Sequence, residues 1–214
     1  MHRSVRRSVR RSVFACGSLL SAAAGATGIA VQVQDASGKV LPDTVIYVES
    51  EGATPAAKSL PGAQIEQKGL KFMPLVTVVQ VGATINFPNN DKVRHHIYSF
   101  SPAHKFDQKL YSGQAASPQV FDKAGTVVLG CNIHDKMIAY VKIVDTPYFA
   151  KTDGSGAARI ELPAGGKYVV KAWHYNTVGG ATPEQTLTVK AGNDLATAIF
   201  KLPMKPVVVD DAAL

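Results

Sequence analysis

The chain has 214 residues, 46% of them hydrophobic and 7% aromatic, with a formal net charge of +7, which is enough chain to bury one large or two small cores. Five arginines (Arg3, Arg6, Arg7, Arg10 and Arg11) crowd the amino-terminal end with no acidic residue beside them, so the basic balance gives no ground for nucleic-acid binding. The two cysteines, Cys16 and Cys131, exclude a disulfide-stapled scaffold.

The chain opens on this basic stretch, followed by a short apolar run over residues 13–24 rich in small side chains. Ala22-Ala23-Ala24 and Ala24-Gly25-Ala26 are A-x-A-like cleavage sites. The pattern predicts a signal peptide over residues 1–26, too short for a membrane span, and a periplasmic or secreted protein. The arginine pairs raise the twin-arginine export route, but no full motif follows, and the general secretory route is favoured. Cys16 fits a lipidation box poorly, because Phe14 precedes it and the apolar run continues past it. Removal of the leader lowers the net charge from +7 to +2 and leaves Cys131 as the single cysteine. A lone thiol in an oxidising compartment is exposed to oxidation unless something ties it up, and metal coordination does that.

Beyond the leader, short segments rich in Val, Ile, Thr, Phe and Tyr alternate with Gly, Pro, Asp and Asn. Strands are predicted over residues 28–34, 44–49, 76–81, 84–87, 96–100, 126–130, 139–144, 158–162, 167–172, 185–189 and 196–202. No stretch carries a sustained helical period. Asp35-Ala36-Ser37-Gly38, Asp153-Gly154-Ser155-Gly156 and Ala164-Gly165-Gly166 are turn signals. The fold class is all-β, with Greek-key β-sandwiches.

The chemistry is concentrated in Cys131-Asn132-Ile133-His134-Asp135-Lys136-Met137. A thiolate, an imidazole and a thioether stand three residues apart each time, a spacing that a folded turn can gather around one ion. A second imidazole must come from elsewhere, and His95 and His96 follow the Asn89-Asn90-Asp91 turn. Strand alternation turns only one of the two toward a common point. Two imidazoles, a thiolate and a weak axial thioether form the donor set of a mononuclear blue copper site, which exchanges one electron. His104, in a loop expected to be exposed, and the aromatic run Trp173-His174-Tyr175 are read as structural; Asp135 and Lys136 are read as solvated.

Leu70-Lys71-Phe72-Met73-Pro74, the run from Val79 through Gly82, Ile85 and Phe87 to Asn89-Asn90, the histidine that follows, and Gly125 to Cys131 resemble a cupredoxin. The opening half is similar to plastocyanins, and the Cys-x2-His-x2-Met spacing to amicyanins. The resemblance runs from about Ile65 to Val144. It implies copper ligation by His95, Cys131, His134 and Met137, with His95 in the ligand place because it stands directly before the position normally held by Asn. His96 takes that Asn place, where the residue normally helps hold the thiolate, so an altered environment for Cys131 is expected. Phe72, Met73 and Pro74 are expected near the copper end, shielding the site or forming a docking face.

The remaining segments have a different likeness. Val31 to Val48 gives two strands, and the Asp153 turn, the stretch from Ile160 to Tyr168 and a terminal strand give the rest. They resemble a carboxypeptidase-regulatory, transthyretin-like sandwich. In that family the second strand runs on to the Thr-Asp-x-x-Gly turn without an intervening domain, so insertion of the copper unit into a loop is favoured over two sandwiches in series. The expected organisation is a signal peptide at 1–26, the first part of the transthyretin-like sandwich at 27–54, a cupredoxin domain at 60–146, the second part at 147–203 and a tail at 204–214. The expected function is an exported type 1 copper protein, with one copper per chain, carrying single electrons between redox partner proteins. A copper chaperone or store without redox turnover, or a non-catalytic cell-envelope binding module, are the alternatives. No enzymatic activity, no nucleic acid and no transmembrane segment in the mature chain are expected.

Overall fold

The computed structural model describes residues 27–50, 62–113, 117–192 and 194–206. The expected signal peptide and most of the expected tail lie outside these residues. Among the described residues the protein is all-β, and no helix is long and apolar enough to cross a membrane.

The strands fall into two sets. The first combines the beginning and the end of the chain. β1 (Gly28–Asp35) runs antiparallel to β14 (Ala157–Glu161) on one side and parallel to β17 (Leu195–Leu202) on the other. β2 (Val45–Ser50) lies between β13 (Phe149–Lys151) and β15 (Gly166–Trp173), and β16 (Glu184–Val189) flanks β15. Alternate residues of β1, Ile29, Val31 and Val33, meet Ile46 and Val48 of β2, Val170 and Ala172 of β15, and Ala198, Phe200 and Leu202 of β17 in one core. The period of two along each strand is what brings these apolar side chains to a single face.

The second set comes from the middle of the chain. β6 (Val76–Gln80), β12 (Ile138–Val144), β11 (Gly125–Gly130), β8 (His95–Ser99) and β9 (Phe106–Tyr111) form a five-stranded sheet in that order. β10 (Gln119–Phe121), β7 (Ala83–Asn86) and β3 (Ala63–Gln64) form a second, and β4 (Glu66–Gln67) pairs with β5 (Phe72–Met73). Their shared core holds Ile65, Phe72, Ile85, Phe87, Ile97, Phe121, Val127, Leu129, Ala139, Val141 and Ile143, together with Cys131 and Met137. A third cluster, Val45, Val76 and Trp173 with Tyr47, Leu75, Val78, Tyr140 and Tyr175 packed on it, joins the two sets.

Each strand expected from the sequence is present with ends shifted by about one residue. β9 was not expected: Asp107 and Lys109 interrupt its apolar residues, and it lies at the edge of its sheet, where exposed charges are tolerated. Two of the turn signals share one construction. Asp35 Oδ1 accepts from the Ser37 N–H (2.8 Å), the Ser37 hydroxyl (2.6 Å) and the Lys39 N–H (3.0 Å). Asp153 Oδ1 accepts from the Ser155 N–H (2.9 Å), the Ser155 hydroxyl (2.6 Å) and the Ala157 N–H (3.1 Å). These bonds favour the ionised carboxylate and hold both aspartates below the ordinary carboxyl value, the serine hydroxyl being the largest cause in each.

Candidate metal centre

His95 is the first residue of β8 and is fully buried. Alternation along the strand turns His95, Ile97 and Ser99 inward and His96 and Tyr98 outward. The His96 ring contacts Asp107 and lies edge-on to Tyr98, on the opposite face from Cys131. The His96 ring therefore points away from the thiol and does not itself reach Cys131. An irregularity between His95 and Ile97 shifts the pairing with β9, so that His95 faces Tyr111 while Ile97 faces Gln108. Such a bulge re-aims a side chain without breaking the sheet.

Cys131 follows β11 directly. Its predecessor, Gly130, lies under the Tyr98 ring, and a Cβ there would stand 2.7 Å from the ring's Cζ, so the strand end has room only for glycine unless the tyrosine moves. The loop then folds tightly, with the Met137 N–H donating to the His134 carbonyl at 2.8 Å. Cys131 and Met137 are buried, His134 is half-buried, and Asn132, Ile133, Asp135 and Lys136 are exposed. Cys131 Sγ stands 3.9 Å from His95 Nδ1 and 3.7 Å from His134 Nδ1, and the two rings meet edge to face at 5.0 Å. One donor atom from each of His95, Cys131 and His134 lies within 4.8 Å of the others. With bonds of about 2.3 Å to sulfur and about 2.05 Å to imidazole nitrogen, these separations correspond to an angle of about 120° at a shared ion. The two sulfur–nitrogen separations thus leave room for one ion shared with each ring. Met137 buries its side chain in the same core as Cys131, and Phe72 does so from β5, whereas Met73 is half exposed.

The surroundings of His95 decide which ring nitrogen is free. Asp91 Oδ2 lies 2.8 Å from His95 Nε2. The same carboxylate accepts from the Gly69 N–H (2.6 Å) and the Leu70 N–H (3.0 Å), and the Asp91 N–H donates to Asn89 Oδ1 (3.0 Å). Burial opposes ionisation of Asp91, yet the bonds from His95, Leu70 and Gly69 prevail and keep its carboxyl below the ordinary value. A proton on Nε2 leaves the Nδ1 lone pair directed at the cluster, the tautomer a metal ligand needs. Asn89 in turn donates to the carbonyls of Val93 (2.8 Å) and Tyr111 (2.9 Å), fixing the turn that carries Asp91. Tyr111 donates to the Phe87 carbonyl at 2.7 Å, and burial, eased by the bond from Gln67 and reinforced by the nearby Cys131, pushes its phenol up to about 12. Sequence reasoning missed Asp91; an acid four residues before a candidate ligand histidine was the available signal.

The other singled-out residues lie apart from the cluster. His104 is not an exposed loop residue: its ring packs between Phe106 (5.2 Å) and Phe121 (4.5 Å), with Nε2 3.3 Å from Gln119 Oε1. His174 is buried and stacks on Tyr175, and its Nδ1 accepts the Asn176 N–H at 3.1 Å. Burial lowers the His174 pKa from the ordinary 6.5, against the opposing effects of Asp43 and the Pro42 carbonyl. The folded protein therefore keeps this ring neutral where the unfolded chain already binds a proton. Its effect is absent above the ordinary value and becomes destabilising as pH falls through 6.5 toward the depressed folded value. Denaturant melts between about pH 8 and about pH 5 are expected to show His174→Gln losing less stability on acidification than the wild type. Parallel curves would remove His174 from this role.

No protein-family model matches the chain, and no curated protein matches it. Among solved structures it is similar to a copper-containing nitrite reductase from Thermus scotoductus, at 24% identity and a TM-score of 0.37 over 41% of this chain and 24% of the reductase. It is also similar to a purple cupredoxin from Nitrosopumilus maritimus, at 25% identity and a TM-score of 0.34, over 38% of this chain and 98% of the other. A reduced Cu(I) amicyanin variant at pH 4 matches at 20% identity and a TM-score of 0.35, over 46% of this chain and 97% of the other. This chain spans about a quarter of the length of the nitrite reductase.

Proposed function

We propose that this chain is an exported blue copper protein that carries single electrons between redox partners. The observation that carries the reading is the convergence of Cys131 Sγ with the Nδ1 atoms of His95 and His134, at 3.9 and 3.7 Å, at one end of a buried β core. In this reading Cys131 would hold copper as the thiolate, His95 and His134 would hold it as neutral rings through Nδ1, and the buried Met137 thioether would supply a fourth, weak donor. Copper held there would supply a one-electron couple. The chain's own part is to hold the donors still: buried His95 is clamped by Asp91, and the 131–137 loop is closed by its own hydrogen bond. His134, the half-buried ring of the set, offers the edge through which the electron leaves.

The proposed organisation places a cupredoxin unit at 60–146 between the two parts of a transthyretin-like sandwich, 27–54 and 147–203, with residues 1–26 directing export. Its support is the pairing of β1 and β2 with strands beyond residue 146, while β3 to β12 pair among themselves. Titration of the protein with Cu(II), followed by optical and EPR spectra and then voltammetry, tests the function. One equivalent of copper, an intense visible band and a reversible one-electron wave are expected. Binding of copper with no such band would end the blue-copper reading. A band with rapid loss of copper to a chelator would move it to copper delivery.

A further inference from the structure

We propose that Asp91 sets the reduction potential of the centre, its carboxylate acting through the remote ring nitrogen of His95 to favour the cupric state. The inference rests on the copper reading above and concerns a residue which that reading does not need as a ligand. A neutral carbonyl would fix the His95 tautomer equally well; the chain instead places an anion there. His95 is fully buried and the Asp91 side chain is 14% exposed, so water screens the 2.8 Å contact little. The carboxylate is also positioned in advance. Gly69 and Leu70 both have positive φ, 62° and 56°, and this left-handed turn aims two successive N–H groups at it. Leu70 carries a steric penalty in that conformation that a glycine would not. The side-chain partners of Asp91 are N–H groups of His95, Gly69 and Leu70, and among the described residues no lysine or arginine pairs with it. A fixed negative charge behind a ligand ring strengthens that ring as a donor and stabilises the more positive of the two oxidation states. The centre is thereby biased toward giving its electron away.

The test compares wild type, Asp91→Asn and Asp91→Glu as copper proteins, with copper alone as the ligand. Asparagine keeps an oxygen acceptor for His95 at nearly the same size and removes the charge. Asp91→Asn is expected to remain blue with a raised potential. Its Cu(II) affinity should fall about 10- to 100-fold and its Cu(I) affinity distinctly less; Asp91→Glu should restore the potential toward wild type. Equal losses of both affinities, or a blue Asp91→Asn protein at the wild-type potential, would overturn the role of Asp91 while leaving the copper reading intact. Wild-type protein that takes up no copper would overturn both. Should Asp91→Asn fail to fold, proton NMR of the wild-type Cu(I) protein decides. A far-downfield, slowly exchanging His95 Nε2–H is expected, and its loss to fast solvent exchange would count against the clamp.

Discussion

On the proposed copper reading, Cys131→Ser is expected to abolish the intense visible band completely and to weaken Cu(II) binding by more than the roughly 100-fold that loss of a supporting hydrogen bond brings. The sulfur has no substitute in the cluster. Cys131 is the single described cysteine, and it stands between two ring nitrogens whose rings meet only at 5.0 Å between centroids. A serine hydroxyl is a hard donor that does not ionise for copper at neutral pH, and its charge-transfer transitions lie outside the visible range. The substitution also places a hydroxyl in a core shared with Met137, Leu129 and Ile97. Left without a partner it costs about 1–3 kcal/mol, so the metal-free stability of the variant should be measured beside its spectrum. A folded Cys131→Ser protein that stays blue would refute the site.

The second large effect is expected at the junction of the two strand sets. Trp173 ends β15, is 5% exposed, and packs with Val45 of β2 and Val76 of β6. Its ring meets Tyr140 of β12 in an edge-to-face contact at 6.4 Å, and Lys142 Nζ lies 5.5 Å from its centroid and 5.5 Å from that of Tyr47. Trp173→Ala removes the largest side chain of this cluster and is expected to cost about 3–5 kcal/mol, a large share of the marginal stability of a folded protein. The loss falls on the contact between the sets rather than within either core. What remains there includes the Tyr140–Tyr175 stack at 4.8 Å, Lys142 over Tyr47, Val45 with Val76, and Lys151 Nζ, which donates to Asp43 Oδ1 (2.7 Å) and the Val76 carbonyl (2.8 Å). Denaturation should accordingly separate into two steps, and on the proposed copper reading the copper signal should follow the step that unfolds the five-stranded sheet. A single transition at the wild-type midpoint would show that this cluster does not couple the two sets.

The tight fit of Gly130 under Tyr98 and the outward turn of His96 both arise from strand packing, whereas other features are local and readable along the chain. The 131–137 loop carries three candidate donors at turn spacing, and the aspartate turns at 35 and 153 close on their own neighbours within four residues. Strand alternation limited the choice between His95 and His96 to one, the family resemblance favoured His95, and β8 turns that ring inward. Asp91 escaped notice. Its meaning comes from Gly69 and Leu70, more than twenty residues upstream, and from a ring whose orientation no local pattern dictates.

By itself the amino-acid order determined the all-β class, the positions of most strands and the donor types that suit copper, because alternation, turn chemistry and loop spacing act over a few neighbouring residues. Only the tertiary structure decided which carboxylate stands behind His95 and how Trp173 and Lys151 tie the outer strands to the inner ones. Those outcomes depend on contacts between segments far apart in the chain, where burial and hydrogen-bond partners are set by the packing of whole sheets.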